Sequence, residues 1–412
     1  MQYKKISEIG TVITGKTPST KKPEYFNGEI PFATPEDIAK GYKLEDTKRH
    51  LSESGFESIK NNTFNGPSIL VGCIGSDMGN VAFSETRFSS NQQINTITKI
   101  KKGIDPLYVY YFLSTRKEYL RSIAGSTATP LLPKSVFENV EIILPNFVSQ
   151  KKISYFLTII DEKIKTNRKI SEKLEQLAKE IYEYWFIQFD FPDENGRPYK
   201  SSGGKMVWNE SLKREIPEGW KVENLMNTSL CSDIKAGVDY FEKKNYLPTA
   251  CVNDEEITDG DYVTFENRES RANMQPIKNS VWFAKMKNSV KHLSIPSCSD
   301  WFIEKYILST GFQGIKCEAN SFPYIHCLIN SEWFELYKDQ LSHGATQESV
   351  NNTDLKNIRF VVPNANTLSD FAEICNPILE MKFSLIEGNQ ELTSLRDWIL
   401  PMLMNGQVKV ME

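Results

Sequence analysis

The strongest periodicity in the chain lies in residues 153–184, ISYFLTIIDEKIKTNRKISEKLEQLAKEIYEY. Counted in heptads from Ile153, eight of the ten first and fourth positions are apolar or aromatic, and these positions share one face of an α-helix. The first positions are Ile153, Ile160, Asn167, Leu174 and Ile181, and the fourth are Phe156, Lys163, Ile170, Leu177 and Tyr184. A heptad repeat of this kind predicts a partner helix with the same repeat.

A second stretch, offset from the first by 218 in the numbering, has the same pattern in the same register. Its first positions are Phe371, Ile378, Leu385, Leu392 and Ile399, and its fourth are Ile374, Met381, Gly388, Leu395 and Met402. We therefore predict that the two helices pair as a coiled coil, although each could instead pack only on its own globular domain. A buried amide at a first position commonly fixes the register of such a pair, and this role is predicted for Asn167.

Segments ahead of each helix also recur in the same order. The matches are residues 139–145 with 357–363 at a spacing of 218, residues 125–127 with 344–346 at 219, and Pro106 with Pro323 and residues 30–33 with 247–250, both at 217. Chance similarity of strand-like segments is the alternative, but four segments keep both order and spacing. The chain is therefore predicted to contain two copies of one unit.

Each unit begins with strand-like runs separated by Gly, Asn and Pro turns, together with a short helical segment. This pattern predicts an α+β fold in which two globular domains occur in tandem repeat and each is followed by a long helix. The predicted boundaries are a first domain at 1–150, a central helix at 151–189, a linker at 190–215, a second domain at 216–365 and a distal helix at 366–406. If a two-fold axis relates the units, the helices run antiparallel, which suits a partly palindromic partner such as DNA.

The 412-residue chain has the composition of a folded protein, with 40% hydrophobic and 25% charged residues. It lacks a secretory signal and any apolar run of the ~20 residues needed to span a membrane, so we expect a cytoplasmic protein. The seven cysteines form no C-x-x-C pair and are expected to be reduced. The net charge of −4 combines +5 over residues 1–189 (26 basic, 21 acidic) with −9 over 190–412 (23 basic, 32 acidic). Contact with DNA must therefore come from local basic patches.

Motifs of common catalytic sites are missing from the sequence. It contains no G-x-x-x-x-G-K-[ST], H-E-x-x-H, G-x-G-x-x-G or G-x-S-x-G segment. Its four histidines are too dispersed for a metal cluster, and the [DN]-P-P-[FYW] segment of adenine methyltransferases is absent. A nuclease pattern PD...ExK, formed by residues 192–193 and 242–244, remains as an alternative, although it would cross a predicted domain boundary. We therefore expect neither catalysis nor a bound metal in this chain.

Candidate DNA contacts in the first domain fall in three turn-rich segments. Lysines and hydroxyls in a polar loop suit phosphate contact, and side-chain amides can read adenine edges. The predicted contacts are Lys16, Thr17, Lys21 and Lys22 in the first segment, Ser76 in a tight turn, and Asn91, Gln92 and Gln93 in the third. For each segment, the alternative is a solvated loop without a ligand.

The second domain has a corresponding basic cluster. Its predicted DNA contacts are Arg268, Arg271, Lys285, Lys287, Lys291 and His292. Lys285 and Lys287 alternate with apolar neighbours, so on a strand they would face the same side. With 15 basic and 20 acidic residues over 216–365, this domain gives the weaker signal for DNA.

Several motifs, taken in order with the duplication, resemble the specificity (S) subunits of type I restriction-modification systems over essentially the whole chain. They are GATQ at 344–347 with the strand at 357–363, IDEKI at 160–164, FDFPD at 189–193 through GGKM at 203–206, IPEGW at 216–220 and LMNG at 403–406. The first copy departs from the pattern because Ala128 and Thr129 stand where the second has Gln347. Lys163 and Gly388 also interrupt the heptad stripe.

The resemblance implies that each globular domain is a target-recognition domain that reads one half of a split sequence in double-stranded DNA. It also implies two methyltransferase subunits docked on the helices and domains, and restriction subunits that complete the cleaving enzyme. S-adenosylmethionine, ATP and Mg²⁺ are then expected in those partners, with no cofactor in this chain. Two alternatives are a methyltransferase or nuclease with a cryptic site, and a scaffold that joins proteins without reading DNA.

Overall fold

A computed structural model describes residues 2–39, 41–125, 130–253, 256–344 and 348–408. The chain divides into two compact units, the first formed by residues 1–164 with 392–412 and the second by residues 165–391. Residues 126–129 and 345–347 lie outside the described residues. The predicted match between 125–127 and 344–346, and most of the GATQ motif, therefore have no structural counterpart to compare.

The first domain combines short strands and short helices ahead of one long helix. Its strands are β1 (Gln2–Lys5), β2 (Thr11–Thr14), β3 (Phe26–Ala33), β4 (His50–Leu51), β5 (Thr63–Phe64), β6 (Ser68–Gly72), β7 (Val81–Ser84), β8 (Phe88–Ser90), β9 (Ile94–Thr98) and β10 (Glu141–Leu144). Its helices are α1 (Ile6–Ile9), α2 (Pro35–Ala39), α3 (Glu53–Ser58), α4 (Pro106–Ser114), α5 (Lys117–Ser122), α6 (Lys134–Phe137) and the long α7 (Phe147–Tyr182), which a π-helical turn (Glu183–Ile187) extends.

Two four-stranded sheets form this domain, with strand orders β2-β9-β6-β7 and β4-β3-β8-β5. The first sheet is antiparallel throughout, and the second contains a parallel pair, β3 with β8. Every residue of β6 is buried, as expected for a strand covered on both faces. β1 pairs with β10, which ties the start of the domain to the strand that leads into α7.

The second domain is built in the same way. The strands after α7 are β11 (Met206–Asn209), β12 (Arg214–Pro217), β13 (Lys221–Asn224), β14 (Cys231–Ile234), β15 (Lys244–Leu247), β16 (Val252–Asn253), β17 (Glu256–Ile257), β18 (Tyr262–Val263), β19 (Ala272–Met274), β20 (Ser280–Ala284), β21 (His292–Ile295), β22 (Tyr306–Ser309), β23 (Phe312–Cys317) and β24 (Arg359–Val362). The helices are α8 (Asp300–Lys305), α9 (Phe322–Ile329), α10 (Glu332–Leu341), α11 (Asn352–Leu355) and the long α12 (Ala365–Met404).

The sheet orders confirm the predicted duplication. In the second domain they are β14-β23-β20-β21 and β18-β15-β22-β19, with β15 and β22 parallel and with β13 paired to β24. This repeats the first domain strand by strand. One sequence match is displaced, because residues 30–33 lie within β3 whereas residues 248–250 lie beyond the end of β15. The two domains therefore share one topology, whereas the connections between their strands differ in length.

One hydrogen bond recurs in the cores of both domains. Tyr108 on α4 donates its hydroxyl proton to the backbone carbonyl of Ile143, at 2.9 Å, and Tyr324 on α9 donates to that of Val361. Both rings are almost completely buried, and a buried tyrosine hydroxyl needs such a partner. The bond fixes α4 and α9 against the strands that precede the two long helices.

In the first unit, α7 packs antiparallel against the C-terminal part of α12. Ile153 and Leu157 share one apolar cluster with Leu400, and further along α7 the carboxylate of Asp161 lies 2.7 Å from the guanidinium of Arg396. Residue numbers therefore rise along α7 as they fall along α12.

In the second unit, the later part of α7 also runs antiparallel to α12. Asn167 donates through Nδ2 to Oδ1 of Asn389 at 2.9 Å, and Ala178 shares an apolar cluster with Phe371. Asn167 is buried, as predicted for an amide inside a helix pair. The structure thus confirms the predicted fold class: two α+β domains in tandem, each followed by a long helix, with the helices paired antiparallel.

The predicted stripe of buried fourth positions is wrong. Ile153, Ile160, Asn167 and Phe371 are buried as predicted, and the other first positions are half-buried: Leu174, Ile181, Ile378, Leu385, Leu392 and Ile399. The second buried line of α7 is formed by fifth positions, Leu157, Ile164, Ser171 and Ala178, while Ile170, Leu177, Ile374, Met381 and Leu395 are exposed. Each helix packs on a domain as well as on the other helix, and this requirement widens and turns its buried face.

Residues 190–215, predicted as a linker, are folded in the second unit. The ring of Phe191 stacks between Tyr199 and Trp220, with centroid distances of 4.6 and 4.9 Å. The carboxylate of Asp190 accepts hydrogen bonds from the backbone amide and the hydroxyl of Ser201, at 2.7 and 2.6 Å. After this turn, β11 and β12 form a hairpin. Aromatic packing therefore makes the segment part of the core.

The cysteines and helices agree with two expectations from composition. All seven cysteines are free, and burial raises the pKa of Cys73 to about 11, which keeps this thiol protonated at neutral pH. Within the described ranges, no helix combines the length and the apolar character needed to cross a membrane.

Replacing both amides of the pair, Asn167→Leu with Asn389→Leu, tests their role in helix pairing. We expect the thermal midpoint to rise by about 2–4 °C for ~1 kcal/mol gained, because buried amides select a register at the expense of stability. We also expect alternative pairings, seen as higher oligomers. Thermal denaturation followed by circular dichroism and light scattering measure both. A lower midpoint with an unchanged oligomeric state would show that the amides stabilise the pair.

Candidate nucleic-acid interface

In the first domain, the predicted DNA-contacting segments leave the β2-β9-β6-β7 sheet at one end. Thr14, the last residue of β2, pairs with Asn95 near the start of β9, and Gly72, the last residue of β6, pairs with Ile94. The connections after β2, before β9 and after β6 therefore emerge side by side. They carry all the predicted contacts of this domain: Lys16, Thr17, Lys21, Lys22, Ser76, Asn91, Gln92 and Gln93.

The loop after β2 and the loop before β9 are joined directly. The backbone amide of Lys16 donates to the carbonyl of Ser90 at 2.8 Å, and the hydroxyl of Thr17 donates to Oε1 of Gln92 at 2.9 Å. A Cβ atom on Gly15 would lie 2.2 Å from the carbonyl oxygen of Asn91. Glycine at this position is therefore what lets the two loops approach so closely.

The three predicted amides have different roles in the structure. Asn91 donates through Nδ2 to Oε1 of Gln93 at 2.9 Å, and its own Oδ1 accepts from the backbone amide of Gln93 at 3.0 Å. These two side chains hold the loop in a fixed turn. Gln92 is exposed, and its contact with Thr17 uses Oε1 rather than Nε2. It is therefore the best placed of the three to contact a base.

The lysines of the first loop lie on the surface. Lys16, Lys21 and Lys22 are all exposed, and within the part of the chain that the structure describes Lys16 and Lys21 form no ion pair. The ammonium of Lys22 lies 3.1 Å from the hydroxyl of Tyr25, and this hydrogen bond raises the pKa of Lys22. Exposed cations in a loop of this kind can neutralise phosphates.

Two residues that support these loops were missed in the sequence. Arg121 on α5 donates from its guanidinium to the backbone carbonyl of Ser76 at 2.7 Å, which holds the turn Gly75–Asp77. Asn62 donates through Nδ2 to the carbonyl of Thr14 at 2.8 Å, which holds the end of β2. Both contacts join segments that are far apart in the sequence, and no local pattern indicates them.

In the second domain, the equivalent edge carries Arg271 and Lys285. The backbone amide of Lys285 donates to the carbonyl of Gly311 at 3.0 Å, and the backbone amide of Thr310 donates to the carbonyl of Arg271 at 2.8 Å. Both cations thus flank the turn between β22 and β23. Burial lowers the pKa of Lys285, an effect that the nearby carboxylate of Asp233 opposes. β20 ends at Ala284, so Lys285 and Lys287 follow the strand, and the condition under which they would face the same side is not met.

The remaining surface cations of the predicted cluster already have partners in the protein. The guanidinium of Arg268 lies 4.2 Å from the ring centroid of Phe265, and the ammonium of Lys287 lies 2.6 Å from the carboxylate of Glu348. Lys291 donates to the side chain of Asn253. DNA phosphates would therefore have to compete with these internal contacts.

His292 corrects a second prediction, because its side chain is buried and not on a DNA-facing surface. Its Nε2 lies 2.8 Å from the carboxylate of Glu335, which also accepts from the fully buried ammonium of Lys338 at 2.6 Å. Burial alone would raise the pKa of Glu335, but the hydrogen bonds to His292 and Lys338 lower it. The three side chains form a structural network behind the β20-β21 hairpin.

The alternative nuclease residues also have local partners. The carboxylate of Asp193 accepts from Arg197 at 3.0 Å and from the backbone amide of Asn195 at 2.8 Å, which closes a turn. Lys244 donates to the backbone carbonyl of Ile303 at 2.5 Å. Across the described ranges, no group of three or more His, Cys, Asp or Glu side chains is placed to hold a metal ion.

Comparison with known proteins places this arrangement in a class. Residues 1–176 match the family described as the type I restriction modification DNA specificity domain. The chain as a whole is similar to the MjaIX specificity subunit of a type I restriction enzyme from Methanocaldococcus jannaschii, with 28% identity over 99% of this chain and 94% of the relative. The MjaVIII specificity subunit of the same organism is 23% identical over 98% of this chain and 92% of the relative.

A solved structure shares the fold over nearly the full length. It is the S subunit of a type I restriction-modification system from M. genitalium, with a TM-score of 0.58 at 15% sequence identity, covering 98% of this chain and 95% of that protein. Residues 1–176 therefore carry the family's DNA specificity domain, and the chain as a whole is similar to specificity subunits of type I restriction enzymes. The similarity agrees with the resemblance found in the sequence.

Removing the three exposed lysines, with Lys16→Ala, Lys21→Ala and Lys22→Ala combined, tests their predicted contact with phosphates. We expect weaker binding of the assembled methyltransferase to every DNA sequence and a salt dependence flatter by up to about one log-log unit per lost contact. Fluorescence anisotropy at several salt concentrations measures this slope. Lys99, Lys101 and Lys102, exposed at the opposite end of β9, provide the matched triple alanine control. An altered sequence preference with an unchanged slope would make the three lysines base readers.

Glu335→Gln tests the buried network around His292. Because the pKa of Glu335 is lowered in the folded state, its carboxylate stabilises the fold above its unfolded pKa of about 4.3 and loses this effect as the pH falls. We expect the variant to lose about 3–5 kcal/mol at pH 7, since Lys338 is left buried without its partner, and the difference to shrink toward pH 4. Urea denaturation at both pH values measures the loss. Glu332→Gln, exposed on the same helix, should be neutral, and equal losses at both pH values would contradict the assignment.

Proposed function

We propose that this chain reads a bipartite DNA target, with residues 1–150 and 216–365 acting as target-recognition domains for different half-sites. The observation that carries the proposal is the repeated sheet edge. In each domain the connections after β2 or β14, after β6 or β20 and before β9 or β23 leave one end of an equivalent sheet. The DNA specificity domain at residues 1–176 and the similarity of the whole chain to specificity subunits support the same role.

The two edges carry different side chains on the same framework. The first presents exposed lysines and the amide of Gln92, whereas the second presents Arg271 and Lys285 beside the carboxylate of Asp233. Direct reading of bases depends on which donors and acceptors reach the groove. Two different sets on one framework therefore favour two different half-sites over a perfect palindrome.

We further propose that two methyltransferase subunits dock on the long helices. Fourth-position residues that the fold leaves in solvent support this step: Ile170, Leu177, Ile374 and Met381 in the second unit, and Leu395 in the first. Apolar residues at heptad spacing on the outside of a helix pair can accept further helices. The methyltransferase subunits thus cover the faces that the two domains do not.

An open pocket in the second unit offers a further docking point. It has a volume of about 570 Å³ and lies between the end of α7 and the α9–α10 region. Apolar rings, including those of Phe186 and Trp333, line it together with charged side chains of both signs: Arg214, Arg359, Lys179, Glu175, Glu183 and Glu332. An apolar segment fits this lining.

S-adenosylmethionine, ATP and Mg²⁺ are proposed to bind in the partner subunits. Methylation of adenine in a duplex requires a pocket that receives the extruded base next to the methyl donor. The methyltransferase subunits would supply that pocket, and the restriction subunits would use ATP for cleavage. This chain would recognise the DNA sequence and set the distance between the two half-sites.

Exchange of one domain tests the modular reading. We expect a chain whose residues 1–150 are replaced by the matching domain of another family member to methylate a target with one new half-site and one unchanged half-site. Mapping of methylated adenines in DNA from a host with the methyltransferase subunit gives the readout. The reciprocal exchange of residues 216–365 is the matched control and should alter only the other half-site. If either exchange altered both half-sites, the domains would not read independently.

A further inference from the structure

The first unit contains a buried charge pair between the two long helices. The carboxylate of Asp161 on α7 lies 2.7 Å from the guanidinium of Arg396 on α12, and it accepts the hydroxyl proton of Tyr111 at 2.6 Å. The side chain of Asp161 is 3% exposed. One carboxylate therefore joins α7, α12 and the α4 helix of the first domain.

The second unit contains a similar junction. The carboxylate of Glu175 on α7 lies 2.7 Å from the ammonium of Lys382 on α12 and 3.1 Å from Nε2 of His326 on α9. Although burial alone would raise the pKa of Glu175, the charges and hydrogen bonds of His326 and Lys382 lower it below its usual range. Here too, one carboxylate joins both long helices and a helix of the adjacent domain.

The polarity of both junctions is the same, because α7 contributes both carboxylates and α12 contributes both cations. This is not what the internal repeat alone would give. At the repeat spacing of 218, Asp161 corresponds to Leu379 and Glu175 to Thr393. The charges are therefore a difference between two helices that otherwise share their apolar pattern.

The repeat also shows which residue would lie opposite each carboxylate if α7 of one molecule paired with α7 of a second molecule. In an α7–α7 pair with the observed register, Asp161 would face the repeat equivalent of Arg396, which is Ala178. Glu175 would likewise face Ile164, the equivalent of Lys382. Asp161 would then be buried, and Glu175 half-buried, without the cation that each has in the observed pair, which is unfavourable.

We propose that the two junctions make α7 selective for α12 and exclude pairing of α7 with the α7 of another molecule. The apolar faces give affinity without discrimination, since the two helices share one heptad register. The charges of the two junctions add the repulsive element on which partner selection depends. Asn167 and Asn389 work in the same direction, because their repeat equivalents are Leu385 and Ser171.

The selectivity matters most during synthesis, because α7 is made before α12. α7 is complete at Tyr182, and α12 begins only at Ala365. At ~5–20 residues per second, the ribosome needs roughly 10–40 s to make the intervening chain. During that time the apolar face of α7 has no α12 to cover it, and neighbouring nascent chains present the same face. Unpaired carboxylates at Asp161 and Glu175 would keep these faces apart.

Charge reversal in the full chain tests the proposal. One variant carries Asp161→Arg with Glu175→Lys, a second carries Arg396→Asp with Lys382→Glu, and a third combines all four. We expect the first two to lose about 10 °C or more of thermal midpoint, because each opposes like charges in both junctions. The combined variant should recover at least half of the loss and remain a monomer.

Mixing provides the test of partner choice. When the first two variants are expressed together, α7 of each can pair with α12 of the other, so native mass spectrometry should find a one-to-one heterodimer. Glu172→Lys with Glu180→Lys, two exposed positions on α7, gives the matched control with the same change in net charge. This control should stay monomeric, with a midpoint close to that of the unmodified chain.

Three results would overturn the proposal. The first is that the variants with charges reversed on only one helix stay monomeric with an unchanged midpoint. The second is that the combined variant recovers no stability. The third is that the co-expressed pair forms no heterodimer. Each readout concerns helix pairing and oligomeric state, so the outcome is independent of whether the chain reads DNA as proposed above.

Discussion

The apolar faces of α7 and α12 are removed from solvent only where the two helices pack against each other and against an adjacent domain. This constraint governs much of the structure within each unit. β10 leads into α7 and β24 into α12, and the first strand of each domain pairs with the strand before its helix. Tyr108 and Tyr324 then attach a further helix to the same strands. Placing the long helices therefore also places the strands from which the loops at the sheet edge extend.

At the sheet edge, the strands are the same in both domains and the loops differ. The eight strands of the two four-stranded sheets keep one order in both domains, while the connections at one end differ in length and charge. Close approach at Gly15 and the contact of Thr17 with Gln92 hold the first set of loops together without using the exposed lysines. Such an edge can change its side chains without disturbing the core.

Buried polar groups in the helix pair serve specificity more than stability. A buried ion pair contributes little net free energy compared with well-packed apolar side chains, but removal of one partner is costly. Asp161 with Arg396 is such a pair, Glu175 with Lys382 is a half-buried one, and each carboxylate also binds a side chain of the adjacent domain. These positions couple the choice of helix partner to the attachment of each domain.

The duplication, the two long helices and the α+β class follow from the sequence alone, and its motifs carry the resemblance to specificity subunits. These features rest on periodicity and on the spacing of motifs, which are local or additive along the chain. The sequence also located the loops that carry Lys16 and Gln92, because turn residues and strand ends are visible locally. It could not show that these loops meet, since their contact depends on the order of strands in the sheet.

Tertiary packing sets which face of each helix is buried, because packing on a domain adds to the helix pair and moves the second buried line of α7 from Ile170 and Leu177 to Ile164 and Ser171. It also placed His292 inside the protein and folded residues 190–215 onto Trp220. The cross-helix partners of Asp161 and Glu175 were equally invisible in the sequence. From a heptad pattern alone, a charged residue is expected to be exposed to solvent. Its opposite charge lies in a distant segment of the chain and becomes a neighbour only in the folded protein.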